Sequence, residues 1–296
     1  MAEPLKDKVV LITGPARGIG AATARALASR GARLSLVGME PELLAALAAE
    51  LGDRHAWSAC DVTDQRALDD AVARTVATLG GIDVVVANAG ITTHGTMLVA
   101  DVEALVRVID VNVSGVIRTV KATLPHLVAR KGYVLVVSSA AAFTAMPGLS
   151  AYAASKAGVE QLANVLRLEM AAYGVAVGSA HMSWIDTDLV RDVQADLSAF
   201  DRTIAKLPGP FKRITTLDEC AQAFVSAIES RARQLFVPKA LGRYSAIRQL
   251  LGSAFAQRFT RGAMSPMIEQ TERDVQALGR GFGEHSVGMG QPSRDQ

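Results

Sequence analysis

The chain has 296 residues, half of them hydrophobic, and a formal net charge of +2 from 31 basic and 29 acidic side chains. Charge this evenly balanced offers no basic face to follow a phosphate backbone, so nucleic acid is not an expected partner. Two cysteines, Cys60 and Cys220, and five histidines without ligand spacing argue against a disulfide framework or a metal site and fit a reducing cytoplasm.

The opening segment carries Glu3, Lys6, Asp7 and Lys8 and no apolar stretch, so no signal peptide is expected. No apolar run reaches the roughly 18 residues of a spanning helix, so no integral membrane association is expected either. The first patterned element is an apolar run over 8–13, Val9-Val10-Leu11-Ile12, which reads as a strand buried on both faces. A glycine-punctuated turn over 14–20 follows, and then helical spacing over 19–30 that Gly31 ends. The pattern repeats: a strand over 33–37, a helix over 40–51 with Pro41 in its first turn, and a short strand over 57–59. Thr63 is positioned to cap a helix over 64–79, and 82–87 is another strong strand. One long helix is expected over 101–128, a strand over 132–138, a helix over 152–173, and a strand over 175–180. The stretch 188–214, with Pro208, Gly209 and Pro210, reads as a mobile lid or substrate loop. A helix over 217–230 and a short strand over 235–237 follow. Residues 240–280 are helical in character, and 281–296, rich in Gly, Ser and Pro, read as disordered.

Strands alternating with helices at this spacing imply a parallel sheet covered on both faces. The expected fold is therefore α/β, a doubly wound, Rossmann-like parallel sheet. It forms a single domain over 5–240, with a helical C-terminal extension over 241–280 and a tail over 281–296.

Thr13-Gly14-Pro15-Ala16-Arg17-Gly18-Ile19-Gly20 joins the first strand to the first helix. Glycines there let backbone approach a pyrophosphate, and the helix start supplies free N–H groups. Position in the first βα unit favours this over mere tight packing. Asp61-Val62 follows the third strand, where the aspartate either accepts from an adenine amino group or is a turn residue. Asn88-Ala89-Gly90 ends the fourth strand, and its small residues suit close cofactor approach. At the end of the second strand stands Gly38-Met39-Glu40. Gly38 occupies the place of the carboxylate that binds an NAD ribose, Glu40 follows two residues later, and Arg17 suits a 2′-phosphate. The expectation is NAD(P), leaning to NADP.

Tyr152 and Lys156 lie four residues apart at a helix start and share one face. An ammonium beside a phenol is expected to lower the tyrosine pKa and fit it for acid–base work. Ser139, just after a strand, is placed to hold a substrate oxygen. Asn112 interrupts an apolar stretch and either satisfies backbone groups or orders a water.

Thr13-Gly14-x-x-x-Gly18-x-Gly20, Asn88-Ala89-Gly90, Asn112, Ser139 and Tyr152-x-x-x-Lys156 together resemble the short-chain dehydrogenase/reductase superfamily over about residues 5–240. The resemblance implies an enzyme that moves hydride between NAD(P) and an alcohol/ketone pair. It assigns Tyr152 as the general acid–base, Lys156 to the nicotinamide ribose, Ser139 to the substrate and Asn112 to a relay water. It also implies a homodimer or homotetramer built on the helices near 101–128 and 152–173. The segment His181-Met182-Ser183-Trp184-Ile185-Asp186-Thr187 departs from the family, with Ser183 where a glycine is usual. Ile185 and Thr187 still match the positions that contact the carboxamide. Thr93, His94, Met146, Leu149, Trp184 and the region 207–211 are candidate substrate walls, mostly apolar, and favour a lipophilic alcohol or ketone as the small-molecule partner. His94 is expected on a loop surface. The C-terminal helices are expected to cover the substrate mouth, ahead of a subunit contact or a membrane surface. The alternatives are a non-catalytic NAD(P)-binding redox sensor and an epimerase or dehydratase of the same family.

Overall fold

The structure, a computed structural model, describes residues 4–207, 209–251, 253–280 and 283. Of the expected tail over 281–296, only Gly283 falls within the described residues.

Seven strands form one parallel sheet: β1 (Val9–Thr13), β2 (Arg33–Gly38), β3 (Ala56–Ala59), β4 (Val84–Ala87), β5 (Tyr133–Val137), β6 (Ala176–Met182) and β7 (Gln234–Val237). Their spatial order is β3-β2-β1-β4-β5-β6-β7. All six neighbouring pairs run parallel, with Val10 opposite both Leu34 and Val84. Alternate residues face opposite sides, so each strand feeds two cores. Val10, Ile12, Leu34, Leu36 and Leu135 pack under α1 (Gly18–Ser29), α2 (Pro41–Leu51) and α9 (Leu217–Glu229). Leu11, Val37, Val85, Val134 and Val136 pack under α3 (Gln65–Leu79), α5 (Gly115–Arg130) and α6 (Ser150–Ala171). Burial on both faces explains why these strands are unbroken apolar runs rather than alternating ones. The order reverses direction at β1 and β4, which opens a crevice beyond their carboxyl ends, the usual ligand position in such sheets.

Four expectations change. Thr63 is not the cap of α3: Asp64 is, accepting from the N–H groups of Arg66 and Ala67, while the Thr63 hydroxyl donates to Asp61. The single helix expected over 101–128 is α4 (Val102–Ile109), a π-helical turn (Asp110–Ser114) and then α5, with Asn112 at the centre of the turn. Such one-turn widenings occur mostly at functional sites. The stretch read as a mobile loop contains two helices, α7 (Asp188–Asp196) and α8 (Phe200–Lys206), and a 3₁₀ turn (Gly209–Lys212). Thr187 caps α7 with its side chain, and Val190, Val193, Phe200 and Ile204 form a small core of their own. Lastly, His94 is buried rather than on the surface.

Beyond β7 the chain forms α10 (Leu241–Ala246), α11 (Arg248–Leu251) and α12 (Ala254–Leu278). The second half of α12 crosses back over the crevice. Thr96 donates to Glu272 at 2.7 Å, and Ser198 donates to Asp274 at 2.9 Å from both its N–H and its hydroxyl. Val275 is buried beside Gly95. Among the described residues, no helix is long and apolar enough to cross a membrane, and no cluster of three metal-ligating side chains exists.

Candidate active site

The turn after β1 depends on glycine where the backbone leaves ordinary space. Gly14 has φ of +65°, and its N–H donates to Val37 O. Helix α1 starts at Gly18 without a side-chain cap from Arg17, so its first N–H groups stay open for an anion. The carboxyl ends of β1 and β4 are stapled together. The Thr13 hydroxyl accepts from the N–H groups of Asn88 and Ala89, and the Asn88 amide donates to both Thr13 O and Gly14 O at 3.0 Å. Asn88 thus shapes the glycine turn from behind.

Gly14, Arg17, Gly18, Ile19 and Gly20 line one long cavity, as do Asn88, Ala89 and Gly90. Gly38, Met39, Glu40, Asp61 and Val62 line the same cavity at its far end. There the Arg17 guanidinium is ion-paired with the Glu40 carboxylate. Arg17 Nε is buried without a partner. Asp61 accepts from the N–H and hydroxyl of Thr63 and, at 2.8 Å, from Arg107. Burial opposes its ionisation, but the Thr63 N–H, Arg107 and the Thr63 hydroxyl together hold its carboxyl below the usual range. Asp61 is therefore a turn residue as well as a cavity wall.

The other end of the cavity gathers Ser139, Tyr152, Lys156, Ile185 and Thr187. Tyr152 and Lys156 come from the first two turns of α6, which Ser138 fastens to β5 through a bond from its hydroxyl to Lys156 O at 2.8 Å. Lys156 is 5% exposed. Its Nζ donates to Val137 O at 2.9 Å and lies 5.5 Å from the centre of the Tyr152 ring. Burial pulls its pKa down to about 8. Burial also pushes the Tyr152 phenol up from its ordinary value, opposed by a hydrogen bond with Ser139. This corrects the expectation of a lowered tyrosine pKa: in the protein alone, desolvation outweighs the hydrogen bond with Ser139.

Of the four residues expected to carry the chemistry, Asn112 is the one that does not line the cavity. It is fully buried, donates to Ile91 O and the Ser155 hydroxyl, and accepts from Ile91 N–H. Of the two roles open to it, satisfying backbone groups is the one realised, and both amide hydrogens are spent on protein. It still belongs to the same constellation. A Cβ at Gly90 would lie 3.2 Å from Asn112 Oδ1 and 3.3 Å from Lys156 Nζ, so Gly90 is held small between them.

Thr187 reaches across to the glycine turn, where a Cβ at Gly18 would stand 3.4 Å from its methyl group. Ser183 has no positive φ, and its N–H donates to Val237 O at 2.9 Å, so the departure from glycine leaves the backbone unstrained there.

Met146, Leu149 and Trp184 line the substrate half of the cavity. Trp184 packs edge-on against Phe200 of α8 at 5.2 Å. Thr93 is buried but does not line it, and Phe211 represents the 207–211 region. The stretch 188–214 and the C-terminal helices were expected near the substrate, but the side chains they bring to the wall were not singled out: Val193, Phe200 and Ile204 from α7 and α8, and Met267 and Thr271 from α12. The C-terminal helix therefore does cover the mouth. Most of this lining is apolar, as expected of a small-molecule site.

A doubly wound parallel sheet, a glycine turn at an uncapped helix start and a cationic side chain with an unmet buried donor define a dinucleotide-binding protein. The comparisons give the family. The family model described as short chain dehydrogenase matches residues 8–198. A cis-4-hydroxycyclohexanecarboxylate dehydrogenase of Sinomonas cyclohexanicum is 35% identical over 254 residues, spanning 83% of this chain and 100% of that protein. A mitochondrial (-)-isopiperitenol/(-)-carveol dehydrogenase of Mentha piperita is 34% identical over 215 residues, 69% of this chain and 81% of the other. The crystal structure of a short-chain type dehydrogenase/reductase from Mycobacterium marinum superposes with a TM-score of 0.71 at 27% identity, covering 78% of this chain and 94% of that one. The chain belongs to the short-chain dehydrogenase/reductase superfamily. It is an oxidoreductase of the alcohol/ketone kind that uses a nicotinamide dinucleotide.

Proposed function

We propose that this chain interconverts a secondary alcohol and its ketone on a compact apolar skeleton, with Tyr152 as the acid–base group. The carrying observation is that Tyr152, Ser139 and Lys156 converge in the same cavity as the glycine turn, with an apolar chamber alongside. The glycine turn, Lys156, Ile185 and Thr187 would hold a nicotinamide dinucleotide, which would supply the acceptor for the carbinol hydride. Tyr152 takes the hydroxyl proton, and Ser139 holds the substrate oxygen next to the phenol. Lys156 keeps a positive charge beside the ring and offers donors to a ribose. Relatives named for cyclic secondary alcohols, a hydroxycyclohexanecarboxylate and carveol, support an alicyclic substrate. The test is turnover of a panel of alicyclic alcohols, read as formation of reduced nicotinamide. Cofactor binding without oxidation of any member would turn the reading towards a redox sensor.

The sequence leaned to NADP through Arg17. The partner that Arg17 has in Glu40 supports the opposite preference. A 2′-phosphate must displace the Glu40 carboxylate and then face it, whereas the ribose hydroxyls of NAD can donate to it. Glu40→Gln removes that charge and releases Arg17. We expect the ratio of kcat/KM for NADPH over NADH to rise about tenfold or more, in line with the worth of a charged contact. An unchanged ratio would place cofactor choice elsewhere.

We further propose a homo-oligomer built on α4, α5 and α6. Val102, Val106, Ile117, Val165 and Leu168 are exposed on these helices, a concentration of apolar surface that a second copy would cover. Light scattering should return a multiple of the 31.1 kDa chain mass; the mass of one chain would exclude the assembly.

A further inference from the structure

The substrate half of the cavity contains a buried polar group that the redox chemistry leaves unused. His94, on the segment after β4, is 2% exposed and lines the cavity. Among the described residues, neither of its ring nitrogens has a hydrogen-bond partner. Asp196, in the last turn of α7, stands beside it away from the cavity lining. The Asp196 side chain is 5% exposed, and its Oδ2 lies 3.7 Å from His94 Nε2, also without a hydrogen bond. The other oxygen, Oδ1, accepts from Arg280 at 2.6 Å. Asp192, one turn earlier on α7, is buried as well.

Buried polar atoms without partners oppose folding, and native interiors keep few of them. Here three occur together at the wall of a ligand cavity. Their charge state follows from their surroundings. Burial pulls the His94 pKa down, Asp196 and Asp192 act against that, and Arg280 reinforces it, so the ring is neutral near neutral pH. A carboxylate oxygen only accepts, so the ring proton belongs on Nε2, facing Asp196. Nδ1 then keeps a lone pair that nothing among the described residues uses. A neutral ring backed by the Asp196 carboxylate offers an anion no positive partner, so the subsite disfavours one.

We infer that His94, oriented by Asp196, is a specificity-determining residue whose Nδ1 accepts a hydrogen bond from a second hydroxyl of the substrate, so that the preferred substrates are diols or hydroxyketones on an apolar skeleton. The inference rests on the alcohol/ketone reading of the site and adds the part of the substrate remote from the reacting carbon. A site built to bond a hydroxyl penalises the analogue that lacks it, because its own buried group is then left unpaired.

The test is steady-state kinetics of the full chain with its cofactor on cyclohexanol, a series of cyclohexanediols and a hydroxycyclohexanecarboxylate. The best diol should exceed cyclohexanol in kcat/KM by about tenfold or more, and the hydroxy acid should rank last. His94→Leu should bring the diol-to-monoalcohol ratio near one. His94→Asn, whose amide oxygen still accepts, should keep part of it. A diol no better than cyclohexanol, a preference for the hydroxy acid, or an unchanged ratio in His94→Leu would each overturn the inference. Should His94→Leu fail to fold, the ranking in the unmodified chain and the His94→Asn ratio decide. A chain that binds cofactor but oxidises no alcohol defeats the dehydrogenase reading first and this inference with it.

Discussion

Replacing Tyr152 with phenylalanine is expected to lower kcat by about 10²–10⁴-fold, the usual worth of a positioned acid–base group. The substitution removes one oxygen. The ring packs against the core beneath α6, so the hydrophobic contacts survive and the melting temperature should hold to within about 1 kcal/mol of stability. Cofactor affinity should also persist, since the glycine turn and Lys156 are untouched. What is lost is the proposed acid–base group. In the free protein this phenol sits above its ordinary pKa because burial outweighs its bond with Ser139. A Tyr152→Phe protein that keeps more than a tenth of the original kcat would assign the proton transfer to another residue.

Gly20→Ala should damage both stability and cofactor binding, for a reason independent of backbone dihedrals. A Cβ built at Gly20 stands 2.5 Å from Gly14 O and 2.8 Å from the Asn88 amide nitrogen and Pro15 Cα. Two of those three atoms are backbone, and the third is fixed by its bonds to Thr13 O and Gly14 O. None can retreat cheaply. Overpacking of this kind costs about 1–3 kcal/mol. The displaced atoms are those that shape the pyrophosphate turn, so the loss of affinity should exceed what the loss of stability alone implies. Thermal melts with and without dinucleotide separate the two effects, because the cofactor-induced shift depends on affinity. A normal shift in a destabilised protein would mean that the turn recovers its shape once ligand binds.

The sheet was legible because its strands are buried on both faces. Val9-Val10-Leu11-Ile12 and Val134-Leu135-Val136-Val137 have no other economical use, and the turns between strands and helices announce themselves with glycine. The cofactor half was legible for the same reason: its residues sit at strand ends, close in sequence to the elements that place them. The break at Asn112 was not. A π-helical turn inserts a single residue into a helix, and the apolar spacing on either side continues with little disturbance. Helices α7 and α8 did leave a trace in the Thr187 cap and in Val190, Val193, Phe200 and Ile204. They are short, however, and the neighbouring Pro208-Gly209-Pro210 drew the whole stretch towards loop. His94 was a candidate wall, but its burial beside Asp196 left no trace. In Thr-Thr-His-Gly it reads as an exposed loop residue, and what buries it, Asp196 and helix α12, lies more than a hundred residues away along the chain. A side chain whose surroundings come from distant segments has no local signature.

The path of α12 carries a consequence for how the protein is made. The wall supplied by Met267 and Thr271, and the Arg280 bond that steadies Asp196, are synthesised after the whole sheet. Every strand of the sheet and the whole glycine turn have left the ribosome before them, and domains fold as units from the amino end during synthesis. A nascent chain can therefore acquire its dinucleotide while the substrate chamber still stands open to water. The chamber is thus closed only after the dinucleotide turn is complete.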